Sequence, residues 1–205
     1  METLKSSFAT LLPEGRNTRP KSIALFITAL LLLMLASMTM QAQTKPTLVV
    51  TAIDAGRFYG DPNPTFTGNI TGLASGDTIT ATYSTVADSS SAVGSYTIVA
   101  TLVDPDNHLG NYTVVINNGT LTVTAAPLSI VADDWQRAAG QANPAFTGTV
   151  SGVKNGEAIT ATFDCSATAT SGPGNYSIVP TVLDGSGKIG NYAVTVSKGT
   201  LTVTP

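Results

Sequence analysis

The second half of this chain repeats the first. Shifted by eighty positions, residues 48–124 fall on residues 128–204 without a gap, and about four positions in ten are identical. The likeness is plainest where GNYTVVINNGTLTVT (Gly110–Thr124) meets GNYAVTVSKGTLTVT (Gly190–Thr204). The matching residues are of two kinds. Apolar ones include Leu48/Leu128, Phe66/Phe146, Ile79/Ile159, Ile98/Ile178, Val114/Val194 and Leu121/Leu201. Turn formers include Gly60/Gly140, Asn63-Pro64/Asn143-Pro144, Gly72/Gly152, Gly76/Gly156, Gly94/Gly174 and Gly119/Gly199. Core and punctuation are what repeat, so the chain must use one small fold twice.

The apolar residues alternate. Leu48, Val50 and Ala52 do so, as do Ile79, Ala81 and Tyr83, then Tyr96, Ile98 and Ala100, then Tyr112, Val114 and Ile116, then Leu121 and Val123. A period of two marks strands with one buried face. The abundance of Thr, Ser, Gly, Asn and Val after residue 43 favours strands and tight turns over helices. The pattern predicts about six short strands per unit and no helix. Asn118-Gly119 reads as a two-residue hairpin turn joining strand Tyr112–Asn117 to strand Thr120–Thr124, with Lys198-Gly199 doing the same in the second unit. The expected fold class is all-β: two tandem small Ig-like or β-sandwich-type domains, 46–125 and 126–205, after an N-terminal signal helix. Each unit has room for a modest core of its own. Cys165 is the only cysteine, so no disulfide can staple it. The joint, TVTAAPLSI (Thr122–Ile130), has no Gly/Ser tract and contains Pro127, which predicts limited swing.

Residues 1–42 stand apart. Basic residues precede a mostly apolar run, Ile23–Met40, followed by small and polar residues, the layout of a secretory signal peptide. Cleavage after Ala42 would leave Gln43 at the new N-terminus. An uncleaved anchor is the alternative, since the run is close to the length that spans a bilayer. Membrane contact is expected only through this segment, and the localisation expected is secreted or cell-surface. The rest of the chain holds six basic and eleven acidic side chains, a balance of about −5. Without a basic cluster to neutralise phosphates, nucleic acid is not an expected partner. The second unit's last strand reaches Thr204. That leaves two expectations open, a short secreted protein or a piece of a longer one.

The stretch DAGRFYGDPNPTFTGNITGLASGDTI (Asp54–Ile79), with GSYTIVATL and GNYTVVINNGTLTVT after it, resembles the bacterial MBG domain of the YGX type. Tyr59-Gly60-Asp61 matches the naming triplet, followed by Asn63-Pro64 and Phe66. The second unit keeps NPAFTGTVSGVKNGEAI (Asn143–Ile159) but has Ala139-Gly140-Gln141 at the triplet, so nothing the tyrosine does carries over there. The resemblance covers essentially everything after residue 46. It implies tandem β domains of the kind found in exported, adhesin-like surface proteins, with no catalytic residue or cofactor to transfer.

Few residues suggest chemistry. His108, the only histidine, would have to be the base of any Ser-His-Asp hydrolase, yet it lies among turn formers and Lys188 is its counterpart. Asp104, Asp106 and Asn107 offer oxygen ligands close together, a weak Ca²⁺ candidate against a solvated turn. Cys165 stands where the first unit has Thr85 and reads as a strand residue that could also pair two chains. Tyr59 and Trp135 are weak binding candidates, as aromatics near turns that stack on sugars or proteins. Asn69, Asn111, Asn118 and Asn175 match the glycosylation pattern, as chance allows in a chain so rich in Asn and Thr. The expected function is therefore a non-enzymatic, exported spacer or adhesin-like module without catalytic residues or cofactor. The alternative is a module that binds a surface protein or glycan through aromatic and polar loop residues.

Overall fold

The computed structural model describes residues 44–205. The signal segment, its helix and its cleavage point lie outside the described residues. Each repeat has seven strands in two sheets. In the first, β1 (Thr47–Ala52) lies between β3 (Gly68–Thr71) and β6 (Thr113–Asn117). The second sheet has the order β2 (Ala55–Phe58), β7 (Gly119–Thr124), β5 (Gly94–Val103), β4 (Thr80–Ser84). The second repeat is built alike: β10 (Gly148–Ser151), β8 (Ala126–Ala132) and β13 (Tyr192–Ser197) form one sheet. Its other sheet is β9 (Trp135–Ala138), β14 (Gly199–Thr204), β12 (Gly174–Asp184) and β11 (Ile159–Cys165). The all-β, two-domain expectation holds.

Alternation does what it predicts in β1 and β7, but not in β6, where Ile116, expected on the buried face, is exposed, nor in β13, where Val194 and Val196 are exposed. Leu48, Val50 and Ala52 of β1 and Leu121 and Val123 of β7 turn inward and are buried, as are Leu128, Ile130, Leu201 and Val203 in the second repeat. The two sheets of a repeat close over these side chains. Removing such apolar surface from water is the main favourable term in folding.

The hairpin expected at Asn118-Gly119 is not there. β6 pairs parallel with β1, whereas β7 pairs antiparallel with β5 and parallel with β2. The chain therefore crosses from one sheet to the other at Asn118, just as it crosses between β1 and β2 at Ile53-Asp54. Two continuous runs, β1–β2 and β6–β7, lie side by side and turn the sandwich corner together. Asp54 fills the gap that the corner opens in the ladder, its carboxylate accepting the Thr120 N–H at 2.7 Å; Asp134 does the same for Thr200 at 2.7 Å. Gly119 is needed for close approach: a Cβ there would lie 3.1 Å from the carbonyl oxygens of both Ala52 and Ile53. At Gly72 a turn glycine is required, because φ is +85° and a Cβ would collide with the Thr47 carbonyl oxygen.

The chain arrives at what is here called the upper end of each repeat. There the β3–β4 and β5–β6 loops surround the start of β1, and Thr113 N–H donates to Pro46 O at 2.9 Å. It leaves at the lower end, where the β2–β3 and β4–β5 loops surround the end of β7, and Tyr59 N–H donates to Thr124 O at 2.8 Å. Only Ala125 separates β7 from β8. Lys45–Pro205 forms one compact unit holding both repeats. The interiors are not wholly separate: Ala132, Ile178, Leu201 and Val203 form a core within the second repeat, but its upper part is continuous with the interior of the first. One cluster of buried apolar side chains runs from Val50, Ile98 and Val123 through Tyr59 to Tyr192, Leu128 and Ile159. Pro127, read as the stiffening element, sits inside β8, paired with Ala193 of β13.

Candidate functional site

The lower end of the first repeat is organised by an arginine that the alternation pattern does not reveal. Arg57 is only 8% exposed. Its Nε donates to Asn63 Oδ1 at 2.7 Å, its Nη1 to Phe58 O at 3.1 Å and its Nη2 to Asp88 O. Asn63 Nδ2 in turn donates to Ala87 O at 2.6 Å. The guanidinium and the amide thus clip the β2–β3 loop to the β4–β5 loop. Arg137 and Asn143 make the same clip onto Ala138, Ala167 and Thr168. This is why Asn-Pro recurs at both positions: the Asn side chain ties two loops and Pro limits the backbone beside it.

The clip presents Tyr59, which is 1% exposed and points out of its own repeat into the next. Its hydroxyl donates to Glu157 Oε1, and its ring meets the Tyr192 ring edge-on, with centroids 5.6 Å apart and planes at 77°. Tyr192 donates to the other oxygen of Glu157 at 2.7 Å and accepts the Lys154 N–H at 2.8 Å. One carboxylate therefore joins two phenols from different repeats. Around it, Lys154 Nζ pairs with Asp61 at 2.8 Å, Val93 N–H donates to Asn191 Oδ1 at 3.0 Å, and Asn155 Nδ2 donates to Ser89 O at 3.3 Å. The Lys154 side chain lies over Gly60, where a Cβ would strike it. Burial and the Glu157 carboxylate push the Tyr192 phenol up to about 12, and for the same reasons Tyr59 also ionises above its ordinary value. The Lys154–Asp61 pair is about one-third exposed and contributes at most about 1 kcal/mol. The aromatic contact and the buried phenol bonds dominate the joint.

The other candidates are placed as follows. His108 Nδ1 lies 2.7 Å from Asp77 Oδ1, on a half-exposed loop at the upper end. Asp77 also accepts the Tyr112 hydroxyl, and these two contacts, Tyr112 foremost, hold its carboxyl below the usual range. Of the calcium trio, Asp104 turns back on its own loop, accepting N–H groups of His108 at 3.0 Å and Leu109 at 2.7 Å. Asp106 accepts the Thr78 hydroxyl, and Asn107 takes a left-handed φ of 63°. Among the described residues no group of three His, Cys, Asp or Glu could hold a metal. Cys165 Sγ accepts the Ala167 N–H at 3.5 Å, as the Thr85 hydroxyl accepts that of Ala87 at 3.4 Å, so it fills a turn-capping position. Trp135 opens edge strand β9 and packs on the cluster around Ala132, Ile178 and Leu201. Its Nε1 is buried without an acceptor among the described residues. Asn69, Asn111, Asn118 and Asn175 are all exposed.

Glu157, Lys154, Asp61 and Asn191 were not candidates. The signal that could have found them lies in the mismatches between the units. Ala139 opposite Tyr59 and Ala74 opposite Lys154 are differences expected where one copy faces a partner and the other does not.

No curated protein matches the chain at a significant level. The family model of the MBG domain (YGX type), a repeat domain found in surface and adhesin-like proteins, matches residues 48–122 and again 128–202. The matches cover the two seven-stranded units, and the Tyr-Gly-Asp triplet sits in the joint between them, so the chain belongs to the MBG domain family and carries two copies in tandem.

Proposed function

We propose that this chain is an exported, non-enzymatic spacer or adhesin-like module of a bacterial cell, secreted or displayed at the surface. Its two repeats hold a set orientation and present their loops at a distance from their attachment. The observation that carries the reading is the joint: Tyr59 seated between Glu157 and Tyr192, with a single residue linking β7 to β8. A flexible pair of binding domains needs no such contact. The N-terminal segment supports export, with cleavage after Ala42. His108, Asp104 and Cys165 are each engaged in loop or turn bonds, which favours a structural role for them. The alternative, glycan or protein recognition through Tyr59 or Trp135, has less support, since Tyr59 is buried in the joint and Trp135 lies against the second core.

Two measurements test this. N-terminal sequencing of the protein recovered outside the cytoplasm should begin at Gln43; retention of the intact chain inside the cell would refute export. Residual dipolar couplings of the two repeats should share one alignment tensor. Independent tensors would remove the spacer reading.

A further inference from the structure

The joint exists once, but its receiving half is built twice. At the upper end of the first repeat, Asp77 and Tyr112 occupy the positions of Glu157 and Tyr192. Tyr112 donates to Asp77 Oδ2 and accepts the Ala74 N–H at 2.9 Å, as Tyr192 does with Glu157 and the Lys154 N–H. The apolar floor repeats as well: Leu73 and Leu109 pack on the cluster of Tyr112, Leu48 and Ile79, while Val153 and Ile189 pack on the cluster holding Tyr192. The two sites differ in what holds the second carboxylate oxygen. At Glu157 it is the Tyr59 hydroxyl of the preceding repeat; at Asp77 it is His108 Nδ1 of the same repeat. In the second repeat the counterpart of His108, Lys188, is exposed.

We propose that the upper face of the first repeat is a second tyrosine socket, able to seat the Tyr-Gly loop of another repeat of this fold, with His108 holding Asp77 until a tyrosine hydroxyl replaces it. The occupant follows from the joint already described, whose geometry this face repeats. It is not the lower end of a second copy of this chain. That end presents Ala139-Gly140-Gln141, with the backbone bond from Ala139 N–H to Thr204 O retained at 2.8 Å but no phenol to offer. The lysine of the joint is also absent, since Ala74 replaces Lys154, so a tyrosine and not an aspartate is the feature the partner must bring. The pairing of ends is directional: a phenol on the lower face, a carboxylate with its own tyrosine on the upper.

The inference rests on the docked joint and not on export. It is tested by duplicating residues 46–125 in place within the full chain. The new connection, Thr124-Ala125 followed by Pro46-Thr47, has the same length as the native one, which gives the added Tyr59 the same high effective concentration. With His108→Lys in the added copy, a single imidazole reports the original Asp77. Its NMR resonances should shift from their two-repeat positions, and return when the added copy also carries Tyr59→Phe. Resonances indifferent to that hydroxyl, while the Tyr192 ring resonances of the two-repeat chain do respond to Tyr59→Phe, would refute the socket and leave the joint standing. Tyr192 ring resonances that do not respond to Tyr59→Phe in the two-repeat chain would refute both. A version keeping His108 in the added copy guards against a folding defect. It should give one imidazole at the two-repeat position and one displaced, and two undisplaced signals would refute the inference.

Discussion

Replacing Tyr59 separates the two contributions of the joint. Tyr59→Phe keeps the ring against Tyr192 and removes only the hydroxyl bonded to Glu157. A hydrogen bond to a charged acceptor contributes about 1.5–3 kcal/mol net. Glu157 is partly exposed and keeps its Tyr192 bond, so the expected cost is at the lower end, about 1.5–2 kcal/mol. Tyr59→Ala also empties the space that the ring fills at 1% exposure, for which about 3–5 kcal/mol is usual. Because that ring links the clusters of the two repeats, its loss should also change how the protein unfolds. Trp135, the only tryptophan, lies in the second repeat and reports it alone, while far-ultraviolet circular dichroism reports both. In urea, the wild type should show coincident transitions by the two probes and Tyr59→Ala should show separated ones. A double-mutant cycle of Tyr59→Phe with Glu157→Ala should give a coupling of about 1 kcal/mol. Strict additivity in the cycle, together with coincident transitions in Tyr59→Ala, would show that the joint carries no coupling.

Other outcomes follow from the same structure. The Tyr192 phenol ionises at about 12 in the folded chain against 10.0 for a free one, and Tyr59 is raised too. The folded state therefore holds protons that the unfolded state has released, so stability is full below pH 10 and falls as pH climbs towards 12. Absorbance at the phenolate band should show late-titrating tyrosines, one fewer in Tyr59→Phe. Gly119→Ala sets a methyl against two backbone carbonyls at 3.1 Å and should cost about 1–3 kcal/mol by chemical denaturation, although Gly119 needs no special φ. Arg57→Met leaves Asn63 Oδ1 and the carbonyls of Phe58 and Asp88 without their donor; a loss of about 3 kcal/mol is expected, with the Tyr59 loop exchanging amide hydrogens faster.

The strands of the fold were legible where one face alternates, as in Leu48, Val50 and Ala52, because burial on one side leaves that imprint locally. β2 and β9 left none. AGRF and WQRA turn an arginine inward, and that arginine is tolerated because two loop acceptors, an asparagine side chain and a carbonyl of the β4–β5 or β11–β12 loop, meet it beside the carbonyl of the next strand residue. The hairpin at Asn118-Gly119 failed for a similar reason. Asn-Gly satisfies the local rule for a turn, but the direction of β6 is set by parallel pairing with β1, some sixty-six residues earlier. Gly119 is there for the space above Ala52 and Ile53, a requirement invisible without the neighbour. Tyr59 stood out as a residue, but its role did not. A side chain that docks on the next repeat is read only by asking why its counterpart is Ala139.

The two parallel runs that turn the sandwich corner have a mechanical consequence. A tension pulling on the ends of a repeat draws β1 upward and β7 downward. β1 is bonded along its length to β6, which leads into β7, and β7 is bonded to β2, which continues from β1. Stretching therefore slides one run along the other, so every rung of both ladders must yield together instead of opening one after another from an edge. With Asp54 pinning Thr120 at the bend, the repeat is reinforced along the axis on which a tether would strain it.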